Sequence, residues 1–219
     1  MTVKESGDPR IRPRGRPRSL TTEQIVKAAL KLIDESSLDD VSMRSLASEL
    51  RVPVMTIYNY VASKEALNEL VVDHALRQVE VPPPGEGSWE ERMRQLQRGA
   101  REAMRQHPGL SFSRHGSSSR EAMRLAEGAM SILHDGGFAP CEAEMAFATL
   151  FTFMLGQIEL DVLSDSMGGR GEATFEGATS ALGLSQDELF EVSLDAVIAG
   201  INMNLGTPAN PRRGRTRGK

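Results

Sequence analysis

The chain is poor in the residues that build disulfides, metal centres and aromatic cores: among 219 residues it has one cysteine, one tryptophan and two tyrosines. A lone cysteine, Cys141, excludes an internal disulfide and any cysteine-based zinc cluster, and reads most simply as a small buried apolar residue. The histidines His74, His107, His115 and His134 include no pair four residues apart, so the spacing offers no helical metal site and neither a metal nor a cofactor is expected. There is no nucleophile motif, no glycine-rich phosphate loop after a strand and no carboxylate pair in a recognisable setting, which argues against an enzyme. No run of about 20 apolar residues is present, so a membrane span is not expected. The N-terminus is basic but lacks the apolar stretch of a signal peptide, which points to the cytoplasm.

What is present is an uneven distribution of charge. Residues 1–80 carry 12 basic and 12 acidic side chains, residues 81–210 carry 9 and 18, and residues 211–219 carry 5 and none. An acidic body between basic ends suggests one surface for a polyanion and a larger part held away from it. Both ends, 1–20 and 206–219, are rich in Pro, Gly and Arg and poor in core formers, the composition of disordered segments. Within the first, "RPRGRPRS" runs from Arg12 to Ser19, and prolines 13 and 17 forbid a helix while favouring an extended backbone. Arg14, Arg16 and Arg18 then project from a strip suited to the narrow, negative minor groove of A·T-rich DNA. A solubilising tail fits the arm alone equally well.

Between the ends the pattern is helical throughout, so the fold class is all-α. Thr21-Thr22-Glu23-Gln24 forms a capping box ahead of Ile25, Ala28, Ala29, Leu32 and Ile33, which share one face of a helix ending near Ser36. Ser42 caps a short second helix, with Val41 and Leu46 placed as a hydrophobic staple, and Ser63 caps a fourth that runs to about Val79. Pro82-Pro83-Pro84-Gly85 breaks the pattern. Ser88 with Glu91 then opens a helix to Gln106, Ser118 with Glu121 one to Gly136, Pro140 one to about Ser164, and Ser185 with Glu188 the last.

The stretch "SMRSLASELRVPVMTIYNYVASK", Ser42 to Lys64, has helix-turn-helix spacing: about eight residues, a tight connection at Arg51-Val52-Pro53, and about seven more. Leu46, Ala47, Leu50, Ile57 and Val61 supply its inner core. The outer face of the second helix is left with Met55, Thr56, Tyr58, Asn59 and Tyr60, which include both tyrosines of the chain. Thr and Asn can bond base edges, tyrosine hydroxyls reach phosphates, and Met suits the thymine methyl. Arg44, in the first helix, can reach a base or a phosphate, and Lys64, at the start of the next, a phosphate.

Residues Arg18 to His74, and "TIYNYVASKEAL" most specifically, resemble the tetracycline-repressor (TetR) family of bacterial transcriptional regulators. "GSWEERM", "HDGGFAPCEAEMAFATLFTFMLGQIELD" and "LFEVSLDAVIAGINMNL" resemble the helical ligand-binding and dimerisation domain of the tetracycline-repressor subgroup. The resemblance implies a helix-turn-helix domain over 21–67 and an effector-binding, dimerising body over 68–205. It carries the major-groove role onto Met55, Thr56, Tyr58, Asn59 and Tyr60, with Arg44 and Lys64 as auxiliary contacts and the basic arm beside them. Two departures are visible: Arg51 stands where relatives often have glycine, and the residues that hold magnesium-tetracycline are not found, with Leu96 and Ala100 at two of the expected ligand contacts.

In the body, an apolar pocket wall is expected from Trp89, Leu96, Ala100, Met104, Phe112, Met123, Phe147, Phe151 and Met154. The last helix is apolar on two sides: Leu189, Val192, Ala196, Ala199 and Met203 form one stripe, and Leu194, Val197, Ile198, Ile201 and Leu205 another. Phe147, Leu155, Val192, Ala196, Ala199 and Met203 are therefore the expected faces of a two-fold four-helix dimer interface, the other reading being a core helix within one chain. Together these readings describe a homodimeric regulator, a repressor of a palindromic DNA operator released by a small apolar effector. The alternative is an effector-independent architectural DNA-binding protein.

Overall fold

The computed structural model describes residues 20–36, 39–107, 109–110, 119–167 and 183–205. Among the described residues there are eight helices and no strand. The first, α1 (Thr22–Glu35), starts where Thr21 and Gln24 cap each other reciprocally at 3.0 and 3.2 Å. It buries Ile25, Val26, Ala29, Leu30 and Ile33, while Ala28 and Leu32 of the expected face are only partly covered.

α2 (Met43–Leu50) begins at a second reciprocal cap, Ser42 with Ser45, and the stapled pair Val41 and Leu46 is buried. Its end is set by Arg51 at φ 55°, ψ 43°, whose N–H closes on the Ala47 and Ser48 carbonyls. A left-handed arginine costs roughly 1 kcal/mol relative to a right-handed one. Two residues on, Pro53 stands at the N-cap of α3 (Val54–Tyr58), where it has no N–H to satisfy. α3 is shorter than the seven residues expected; Asn59 and Tyr60 lie in a following turn, held by the Tyr60 N–H on the Ile57 carbonyl at 2.9 Å.

α4 (Lys64–Leu76) is capped by Ser63 and ends three residues before the expected Val79. Leu67, Val71, Val72, Ala75 and Leu76 bury it on more than one side, because it packs on α1 and also on the body. The boundary expected at 67–68 thus falls inside a continuous helix. The body consists of α5 (Trp89–Arg105), α6 (Arg120–Asp135), α7 (Pro140–Met167) and α8 (Gln186–Asn204). α5, α6 and α7 pack on one another, α4 docks on α5 and α6, and α8 lies on α7.

The α6 cap is Ser119 rather than the expected Ser118, which lies outside the described residues. Its hydroxyl oxygen accepts the Ala122 N–H at 3.2 Å while its proton goes to Asp73 of α4, a partner no local pattern reveals. Cys141 is exposed near the start of α7, against the expectation of burial. By length and composition alone, Pro140–Val162 of α7 would suffice to cross a bilayer, contrary to the expectation of no such run; here α5, α6 and α8 all pack against it.

α5 and α8 are tied by long side chains. Arg94 meets Asp195 at 2.6 Å, Arg98 makes a two-pronged pair with Glu191, and Arg105 meets Asp187 at 2.7 Å. Arg101, 5% exposed, holds Asp161 through two bonds of 2.7 Å and Asp187 at 2.9 Å, with its guanidinium 4.4 Å from the centre of the Phe190 ring. Arg94, Arg98, Arg101 and Arg105 are therefore matched internally by Asp195, Glu191, Asp161 and Asp187, and the acidic excess of the body stays unmatched.

Candidate functional site

Ile57 and Val61 point into the small core of α1–α3, which turns the rest of α3 outward. Met55 is 71% exposed, Tyr58 43% and Tyr60 42%; Asn59 is exposed, and Thr56 is half-buried. Such large side chains on a two-turn surface are uncommon without a partner. Arg44 is exposed on α2. Lys64 is half-buried, and its ammonium donates to the Asp39 carbonyl, leaving a compact charge beside the start of α4. Arg14, Arg16 and Arg18 lie outside the described residues.

A second feature lies in the body, a cavity of about 240 Å³ between α4, α5, α6 and α7. Leu96, Ala100, Met104, Met123, Phe147, Phe151 and Met154 of the expected wall surround it, with the Phe147 and Phe151 rings stacked 5.8 Å apart. Phe112 is outside the described residues. Trp89 is a correction: it packs edge-on against Phe138 at 4.9 Å and so closely over Gly136 that a Cβ there would come within 2.7 Å of its ring, away from the cavity. Sequence reading missed Gln97, Leu76, Ile158 and the small residues Ala122, Ala126 and Ala129 of α6. Gln97 stands three residues before Ala100 and so shares its face, but a polar residue is not sought in an apolar stripe.

Of the expected interface residues, Val192, Ala196, Ala199 and Met203 are exposed on α8. The second stripe of α8, centred on Leu194, Ile198 and Ile201, is buried. Phe147 and Leu155 are half-buried and border the cavity, so they face it in addition to any neighbouring subunit.

The cavity and the domain that presents the outward face of α3 are joined through α4. Leu76, at its end, borders the cavity, and one turn earlier Asp73 caps α6. The chain after α5 touches α1: His107 Nδ1 lies 3.3 Å from the Asp34 carboxylate, and a Cβ on Gly109 would come within 2.1 Å of the Ile33 carbonyl oxygen. His74, in this junction, is held below the ordinary histidine value, first by burial and then by the charges of Arg77, His107 and Lys27.

Residues 25–71 match the family described as bacterial regulatory proteins, tetR family, and residues 81–177 match the tetracyclin repressor-like C-terminal domain. The chain is 35% identical over 98 residues to the HTH-type transcriptional repressor DrrR1 of Streptomyces coeruleorubidus, spanning 44% of this chain and 36% of that protein. The apo structure of ActR from Streptomyces coelicolor superposes with a TM-score of 0.72 at 30% identity, covering 89% of this chain and 100% of that one. ActR in complex with actinorhodin gives 0.69 at 29% identity, covering 88% and 100%. With both halves matched in sequence and nearly the whole described fold matched in space, the chain belongs to the TetR family of bacterial regulatory proteins.

Proposed function

We propose that this chain is a homodimeric transcriptional repressor that reads a palindromic operator through α3 and is released by a small, uncharged, largely apolar effector held between α4, α5, α6 and α7. The observation that carries the reading is the outward set Met55, Tyr58, Asn59 and Tyr60 above buried Ile57 and Val61. Solvent does not call for two exposed tyrosines on so short a helix and the turn after it, whereas base edges and phosphates use each of these groups. Arg44 and Lys64 add backbone contacts, and the arginines at 14, 16 and 18 add minor-groove contacts alongside.

A dimer places two copies of α3 roughly 34–36 Å apart, one helical turn, so that both enter successive major grooves. The open stripe of α8, Val192, Ala196, Ala199 and Met203, paired with its two-fold copy, supplies that dimer. The effector acts by binding better to a dimer of different spacing, with α4 as the element that both surfaces share. Ligand occupancy of the similar ActR fold supports a bound small molecule in this one. Tetracycline is not proposed, because Leu96 and Ala100 leave the wall apolar at two of the positions where its ligand contacts are expected.

Selection of bound sequences from a random duplex pool tests the reading. A palindrome with half-sites about one turn apart is expected; enrichment of no sequence, with binding that simply falls with salt, would replace the repressor by a sequence-tolerant DNA binder.

A further inference from the structure

Resting on the reading of the body cavity as an effector site, we infer that Gln97 is its specificity-determining residue and that the effector is a neutral, mainly apolar molecule carrying a hydroxyl or carbonyl that pairs with the Gln97 amide. Among the described residues, Gln97 is the one side chain bordering the cavity that has an amide, hydroxyl or charge; the others are aliphatic, aromatic or methionine. It is 8% exposed, and its Oε1 is buried without a hydrogen-bond partner. Its Nε2 has only the thioether of Met93, at 3.9 Å, a weak acceptor.

A buried amide left so poorly matched destabilises the chain, and native structures keep such groups satisfied unless something else completes them. The terminal amide torsion is broad and roughly two-fold, so a half-turn can offer either the carbonyl or the NH2 to a bound molecule. Charge on that molecule is disfavoured, since among the described residues no ionised side chain borders the cavity and an uncompensated ion is costly to bury. The cation one turn along α5, Arg101, is already committed to Asp161 and Asp187. A site with a polar group desolvated in advance discriminates strongly against analogues that leave it unpaired. The wall thus selects for apolar bulk and Gln97 for one polar atom on it.

The test uses the full chain, N-phenyl-1-naphthylamine as a fluorescent cavity probe, and naphthalene and 2-naphthol as competitors that differ by one hydroxyl. The wild-type protein should prefer 2-naphthol, and Gln97→Leu, which fills the same space without an amide, should lower the ratio of the two affinities by roughly fivefold or more. Gln97→Met serves as a second variant, and both should melt no lower than wild type because an unmatched polar group has been removed. An unchanged ratio in both variants would overturn the role of Gln97 while leaving the cavity as a ligand site. Failure of both competitors to displace the probe from wild-type protein would overturn the cavity reading and this inference with it.

Discussion

The Asp73 carboxylate of α4 accepts the hydroxyl of Ser119 and, through the same oxygen at 2.9 Å, the backbone N–H of Glu121. The helix that follows the helix-turn-helix segment therefore caps the helix that walls the cavity. Ser119 is fully buried, so its hydroxyl cannot turn to water if the carboxylate is lost. Asp73→Ala should cost about 1–3 kcal/mol, the penalty for leaving buried donors unmatched, and lower the melting temperature by several degrees. Hydrogen exchange at the first turn of α6 should rise selectively; unchanged protection there would mean that the cap does not hold the helix.

Replacing a base-reading side chain differs from replacing a phosphate contact. Asn59→Ala and Tyr58→Ala should each cost on the order of 1–3 kcal/mol of discrimination between the selected operator and random duplex. Arg44→Ala should weaken binding to both alike and reduce the salt slope by about one charge. Equal behaviour of all three variants would argue that α3 touches only the backbone.

For the arm, deletion of residues 1–18 should flatten the dependence of binding on salt while leaving operator preference set by α3. A slope equal to that of the full chain would show that these arginines do not meet DNA.

A carboxylate placed on the open stripe of α8 meets its own two-fold copy if that stripe is the dimer interface. Ala199→Glu or Val192→Glu should then sediment as a monomer with unchanged helical content. A persistent dimer in both variants would move the interface to another face.

His74 gives the junction a pH dependence whose sign follows from its neighbours. Burial, Arg77, His107 and Lys27 disfavour its charged form, with Glu23 opposing, so the folded chain binds this proton less tightly than the unfolded chain. Stability is unaffected above the ordinary histidine range and falls as pH drops through about 6.5 towards the lower folded value. His74→Gln should be less sensitive than wild type when denaturation midpoints at pH 7.5 and 5.5 are compared, and equal sensitivity would place the titrating group elsewhere.

Capping and periodicity are local, which is why so many elements were legible without coordinates. Thr21 with Gln24, Ser42 with Ser45, Ser88 with Glu91 and Ser185 with Glu188 are contacts three residues apart, decided by the chain next to them. The left-handed backbone of Arg51 agrees with its place at a turn position where the resembled family often has glycine. The outward tyrosines followed from subtracting the inward positions of α3.

Other features depend on residues far apart in the chain. Ser119 rather than Ser118 caps α6 because Asp73, 46 positions away, receives its proton. Two apolar stripes on α8 can be counted in the sequence, but only the packing of α7 decides that the one through Leu194 and Ile198 is buried and the one through Val192 and Met203 left open. Trp89 reads as a ligand contact until Phe138 and Gly136 are seen around it, and nothing in the sequence singles out Gln97 until α5 is seen facing the cavity with α4, α6 and α7. Local sequence determined where helices begin and what their faces offer; tertiary packing decided which offered face meets protein, which meets a cavity and which stays exposed, because burial belongs to a pair of surfaces.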